Sequence, residues 1–204
     1  MIESVEIDPR IRVRDASKLL LGPQVIRVRS FDEEGVHHFA HEMNLAHQTG
    51  QSFIPLIIDS FGGDVYAFFS MLDILKTAKV PVATIVEGKA MSCGAALFTC
   101  GTEGFRFMGP NATLMLHDVS WDEASGKSEE IRVGAKETDR LNKKMWRIME
   151  KNIRQPAGYL WTLVQERGRT DWYMNAKEAQ KHNIANHIRI PALRTAVRVE
   201  MAFE

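Results

Sequence analysis

The sequence predicts an α/β domain on a parallel sheet, and three observations carry that expectation. Two near-continuous apolar runs, residues 52–59 (SFIPLIID) and 82–86 (VATIV), read as buried strands. Each is followed by glycines or small residues and then by a helical pattern, so strand, turn and helix occur twice in succession. A chain of 204 residues, 45% hydrophobic and 25% charged, can bury the sizeable core that such a domain needs.

Taken in order, residues 1–22 alternate apolar and charged side chains around Pro9 and read as an extended N-terminal arm, leaving 23–204 as one domain. Residues 25–29 (VIRVR) alternate with period two and predict a strand towards a sheet edge. Ser30 and Asp32 offer helix-start signals, and Val36, Phe39, Ala40, Met43 and Ala46 then recur on one face. The run 52–59 predicts a central strand, closed by Ser60, Phe61, Gly62, Gly63 and Asp64. A helix with Val65, Phe68, Phe69, Leu72 and Leu75 on its buried face stops before Pro81. The strand 82–86 is expected to break at Gly88, with a helix of small residues from Cys93 to Cys100. Residues 105–108 and 113–117 are short strand candidates.

Residues 118–127 are polar and loop-like. A long, polar helix is expected over about 128–153, with Glu129 and Glu130 in its first turn, where the helix dipole favours them. Its sparse apolar stripe (Ile131, Leu141, Met145, Ile148) predicts a helix that projects from the core and needs a partner. Residues 159–167 predict a short helix, and Asn175 with Glu178 resembles a capping signal for a last one ending near Lys181. Residues 184–190 are expected to return as a strand.

Twenty-six basic and 26 acidic residues balance, which argues against a nucleic-acid footprint. No apolar run reaches membrane-spanning length and no signal peptide is visible. Cys93 and Cys100 lie seven apart on one expected helix, too far to bridge, so a reducing cytoplasm is the expected setting. His37 and His41 share a helix face, but without the glutamate of a zincin-like pattern they read as solvated histidines rather than metal ligands.

The chemistry centres on Ser92. A serine at a strand-to-helix junction sits where the chain turns sharply, beside helix-start N–H groups without intrahelical partners, which can receive negative charge. Nucleophilic serine also needs a base and a group that orients the base. His117, at the end of a short apolar strand, is the base candidate. Asp171, in the polar entry to Trp172 and Tyr173, is the favoured orienting carboxylate. Asp118 is its rival, but strand neighbours point to opposite faces, which places it poorly for the same imidazole. The pair Gly62–Gly63 would let a backbone N–H approach a ligand closely.

The stretches IIDSFGGD, GKAMSCGAAL, LMLHD and TDWYMNAKEAQKHNIANHI resemble ClpP, the proteolytic subunit of the ATP-dependent Clp protease, from about residue 20 to residue 190. The resemblance implies a ClpP/crotonase-like fold with repeated β-β-α units and a projecting handle helix. It implies Ser92 as nucleophile, His117 as general base, Asp171 as orienting acid, and the N–H groups of Gly63 and Cys93 as oxyanion hole. It further implies heptameric rings, paired into a tetradecamer, that receive unfolded polypeptide from a Clp-family AAA+ unfoldase, with no metal or organic cofactor. The chain departs from the family pattern at several places. Phe61 stands where proline is usual before the glycine pair. Pro55 and Ile57 replace aromatic residues that shape the ATPase-docking clefts. Arg169 and Thr170 replace an acidic–arginine pair, and the interval from His117 to Asp171 is slightly expanded. The expected function is a serine endopeptidase acting inside a barrel. The alternatives are a catalytically weak scaffold subunit that co-assembles with an active one, and, less favoured, an acyl-thioester enzyme on the same architecture.

Overall fold

The computed structural model describes residues 22–120, 127–168 and 170–194, so nearly all of the expected N-terminal arm and Arg169 lie outside the described residues. In chain order the elements are β1 (Ile26–Val28), α1 (Glu33–Gln48), β2 (Ile54–Ser60), α2 (Val65–Leu75), β3 (Val82–Met91), α3 (Cys93–Thr99), β4 (Arg106–Met108), β5 (Thr113–Leu116), α4 (Ser128–Asn152), α5 (Tyr159–Glu166), β6 (Trp172–Met174), α6 (Ala176–Lys181) and β7 (His187–Ile188). The strands form one sheet in the order β1-β2-β3-β4-β7, all parallel, with β5 joined to β3 and β6 joined antiparallel to β5. The expected α/β class with a parallel core is what the chain adopts, and β1 lies at the sheet edge as its alternating pattern implies.

β2 is buried along nearly its whole length because both faces are covered, which is why its sequence is a continuous apolar run rather than an alternation. The helix starts follow local chemistry. The Asp32 carboxylate accepts from the Gly35 N–H at 2.7 Å, Asp64 from the Tyr66 N–H at 2.7 Å, and Asn175 from the Glu178 N–H at 3.0 Å. In α4 the Glu130 carboxylate reaches back to the Lys127 N–H at 2.9 Å.

Two expectations need correction, and one element was not foreseen. Gly88 does not end the strand: it takes φ +78°, a left-handed value that glycine adopts without strain, and β3 runs on to Met91. Before Gly88 the strand pairs with β4 through Thr84, Ile85 and Val86, and after it with β5 through Lys89, Ala90 and Met91. The glycine thus marks an exchange of partners, beside a register shift against β2 between Ile58 and Ser60. The strand expected over 184–190 shortens to His187–Ile188, because Ile184 and Ala185 are buried in the turn leaving α6. The element not foreseen is β6, a strand that carries Asp171 at its entrance.

The long helix divides in two. Its N-terminal half is exposed, with Ile131 at 47% and Val133 at 63%, whereas Leu141, Met145, Trp146 and Met149 are buried against the domain. The stripe that packs is therefore confined to the second half and includes Trp146, whose indole N–H donates to Asp118 at 3.1 Å. Glu150, on the same half and 2% exposed, accepts from the N–H groups of Gly158 at 2.8 Å and Leu160 at 2.9 Å. It caps α5, whose own N-cap, Gly158, has no side chain to do so.

Arg106 closes the other end of the core. Its guanidinium, 1% exposed, donates to the carbonyls of Ile184 and Asn183 at 3.0 Å each, to that of Asn152 at 3.3 Å, and to Glu103 at 3.1 Å. One side chain thus joins β4, the end of α4 and the turn after α6. Arg106→Leu removes the donor and leaves those carbonyls buried without a partner, so it is expected to cost about 3 kcal/mol or more. Urea denaturation of the wild type and the variant measures the difference.

Candidate active site

The site forms where three strands end side by side. β3 pairs with β5 in the register Lys89↔Thr113, Ala90↔Leu114, Met91↔Met115, so the next residue of each strand, Ser92 and Leu116, come abreast. β5 pairs with β6 in the register Leu114↔Met174, Met115↔Tyr173, Leu116↔Trp172, which continues to His117 opposite Asp171. Trp172 and Met174 are buried and Tyr173 is exposed, so the short strand is anchored by its two inward side chains. Residues separated by 25 and 54 positions are brought together by pairing alone.

Ser92 adopts φ 53° and ψ −120°, sparsely populated for a residue with a side chain, and makes no side-chain cap bond to α3. The helix-cap role that a serine in this position would ordinarily fill is thus not taken up. Its own N–H donates to the Met115 carbonyl at 2.8 Å, and its carbonyl accepts from Ala96 at 3.0 Å. With both backbone groups tied, the hydroxyl points away from the turn and lies 2.8 Å from Nε2 of His117. On the far side of the ring, Nδ1 is 3.6 Å from Asp171 Oδ1, an ion-pair distance rather than a hydrogen bond. Asp171 is 49% exposed and its other oxygen receives the Tyr173 hydroxyl at 3.5 Å. Asp118 is engaged elsewhere by Trp146, as the alternation of strand side chains requires.

Gly62 packs directly on the serine and Gly63 on Phe31. A Cβ on Gly62 would lie 2.7 Å from the Ser92 Cβ and 3.2 Å from the Cys93 nitrogen, and one on Gly63 would lie 2.5 Å from the Phe31 carbonyl oxygen. Both glycines have positive φ, +100° and +146°, so space and backbone conformation alike demand glycine here. The Cys93 thiol donates to the Gly63 carbonyl at 3.2 Å and fastens the loop to the first turn of α3. Burial pushes that thiol up to about 11 and the Cys100 thiol up to about 12, and both cysteines are free.

Ser92 and His117 open into a cleft of about 480 Å³, walled by Phe61, Asp64, Val65, Tyr66, Val119 and Leu141. The sequence reading did not identify these wall residues, although Val65 and Leu141 belong to its apolar stripes. Tyr66 ties the cleft to α4: its hydroxyl donates to Glu137 at 2.7 Å, and Arg140 donates to the same carboxylate. These two donors, Arg140 first, hold the Glu137 carboxyl down at about 2, so it stays ionised through the neutral range. A second cleft of about 540 Å³, beside Asp118, Trp146 and Trp161, does not reach Ser92. Among the described residues no three His, Cys, Asp or Glu side chains gather as a metal site; His37 is exposed and faces Glu33 at 3.9 Å. No helix among them is long and apolar enough to cross a membrane.

A family model described as Clp protease matches residues 11–191 of the chain.

The thiols give a direct check on the packing around the serine. Thiolate is scarce below the raised values of about 11 and about 12, so at about pH 8 a disulfide reagent should leave both cysteines of the folded protein unreacted. Both should react on denaturation. Rapid reaction in the native state would show that the Cys93–Gly63 contact is open.

Proposed function

The chain belongs to the Clp protease family, and on that footing we propose that it is a serine endopeptidase subunit cleaving unfolded polypeptide inside a ring built from its own copies. The observation that carries this reading is the 2.8 Å contact between the Ser92 hydroxyl and His117 Nε2, on a serine held in a conformation that keeps its side chain off the helix. In this proposal Nε2 takes the hydroxyl proton as Ser92 Oγ attacks the peptide carbonyl. Asp171 steadies the imidazolium through Nδ1. The developing oxyanion accepts from the N–H groups of Gly63 and Cys93, each worth about 3–4 kcal/mol in such a site. His117 then passes its proton to the leaving amine, the C–N bond breaks, and an ester on Ser92 remains. Water deprotonated by His117 attacks that ester and restores the serine.

The family is known to form oligomeric rings. For this chain we propose heptameric rings, paired through α4, with the exposed half of that helix covered by the facing ring. A Clp-family AAA+ unfoldase in the cytoplasm would supply the substrate. No organic cofactor or metal enters the mechanism.

The 3.6 Å separation of His117 from Asp171, with Asp171 half exposed, favours a second reading: a weakly active subunit whose carboxylate closes on the histidine only beside a partner subunit.

Labelling with a fluorophosphonate separates these. Wild type should label, Ser92→Ala and His117→Ala should not, and Asp171→Asn should lose about a hundredfold or more in peptide turnover. Wild-type labelling of Ser92→Ala would sink the assignment. A folded ring that labels only after mixing with a second ClpP-like subunit would put the scaffold reading first.

A further inference from the structure

The serine cleft holds a charge that its catalytic role does not use. Asp64 forms part of its wall together with Gly63 and Val65, next to Ser92 and His117. One oxygen of the carboxylate accepts from the Tyr66 N–H at 2.7 Å, which fixes the side chain over the start of α2. The other oxygen has no partner among the described residues. Two other charges near the cleft are already paired. Lys89, which sits 4.3 Å over the Phe61 ring, is paired with Asp59 at 2.8 Å. Glu137, behind Tyr66, is paired with Arg140. Among the described residues the cleft thus combines apolar walls (Phe61, Val65, Val119, Leu141), the aromatic Tyr66 and an anchored carboxylate whose second oxygen has no partner. Apolar walls accommodate a long aliphatic stem, and a carboxylate at their rim fits a cation at its end.

Resting on the serine peptidase reading, we propose that Asp64 makes this cleft select a lysine or arginine side chain on the substrate residue whose carbonyl Ser92 attacks. That residue is the one whose side chain can enter, because the cleft opens directly beside Ser92 and the attacked carbonyl carbon is one bond from the carbon bearing the side chain. The anchoring bond to Tyr66 makes the carboxylate a fixed recognition group, with little side-chain freedom left to lose on binding.

The test compares the rates at which peptidyl diphenyl phosphonates ending in lysine, arginine or norleucine phosphonylate the full-length protein with loss of phenol, alongside a small fluorophosphonate. In wild type the basic probes should react about three- to fivefold faster than the norleucine probe, the size expected of an exposed charge pair. In Asp64→Asn, which keeps the oxygen that accepts from Tyr66, the ratio should collapse to about one. Equal rates in wild type, or a basic preference that survives Asp64→Asn, overturn the inference while the small probe still reports an activated serine. Labelling by none of the probes overturns the peptidase reading, and this inference with it.

Discussion

The candidate site hangs on the ladder that joins β3, β5 and β6. No residue in it is held by sequence proximity: Ser92, His117 and Asp171 each stand just beyond the edge of a strand, and the registers Met91↔Met115 and Leu116↔Trp172 bring them into line. A slip of one residue in either pairing would turn a candidate side chain to the opposite face. That is why the strands around the site are locked by more than their ladders. Trp172 is buried, donates to Glu178 at 3.0 Å and lies under the Arg167 guanidinium. Ser92 is tied to Met115 through its own N–H.

The glycine loop imposes the second condition. Ser92 can occupy its unusual backbone conformation because Gly62 leaves the space that any side chain would fill, and because Gly63 can pass under Phe31. Gly88 plays the matching part upstream, letting β3 leave β4 and reach β5 without ending. Strain at the serine is therefore supported from both flanks by residues with no functional group of their own.

Around this frame the polar side chains that enter the core do so as connectors. Arg106 binds carbonyls from separate segments, the turn after α6 and the end of α4, and Glu150 caps α5 from α4. Tyr66, Glu137 and Arg140 tie the cleft wall to the middle of α4, where the buried half of that helix gives way to the exposed half. The helix thus touches the cleft at Leu141 and through Glu137, while its N-terminal half stays exposed.

Much of this was legible in the chain. Continuous apolar runs marked the doubly covered strands, because a strand buried on both faces has no polar side to show. Asp32 and Asn175 marked helix starts, because capping is decided within three residues. Ser92, His117 and the glycine pair stood out because their chemistry and local turns are short-range properties. The strand after Asp171 was missed: three residues, one of them an exposed tyrosine, carry too little periodicity to announce themselves, and only pairing with β5 makes them a strand. Gly88 read as a break because its left-handed φ looks the same locally whether a strand ends or changes partner. What the sequence determined by itself was the fold class, the order of all the elements but β6, and the residue types able to do acyl chemistry. What only the tertiary structure decided was distance: the 2.8 Å between serine and histidine, the looser 3.6 Å to the aspartate, and a cleft wall drawn from α2, the segment after β5, and α4. Those are sums of strand register, helix packing and turn geometry over more than a hundred residues, and no local pattern encodes such a sum.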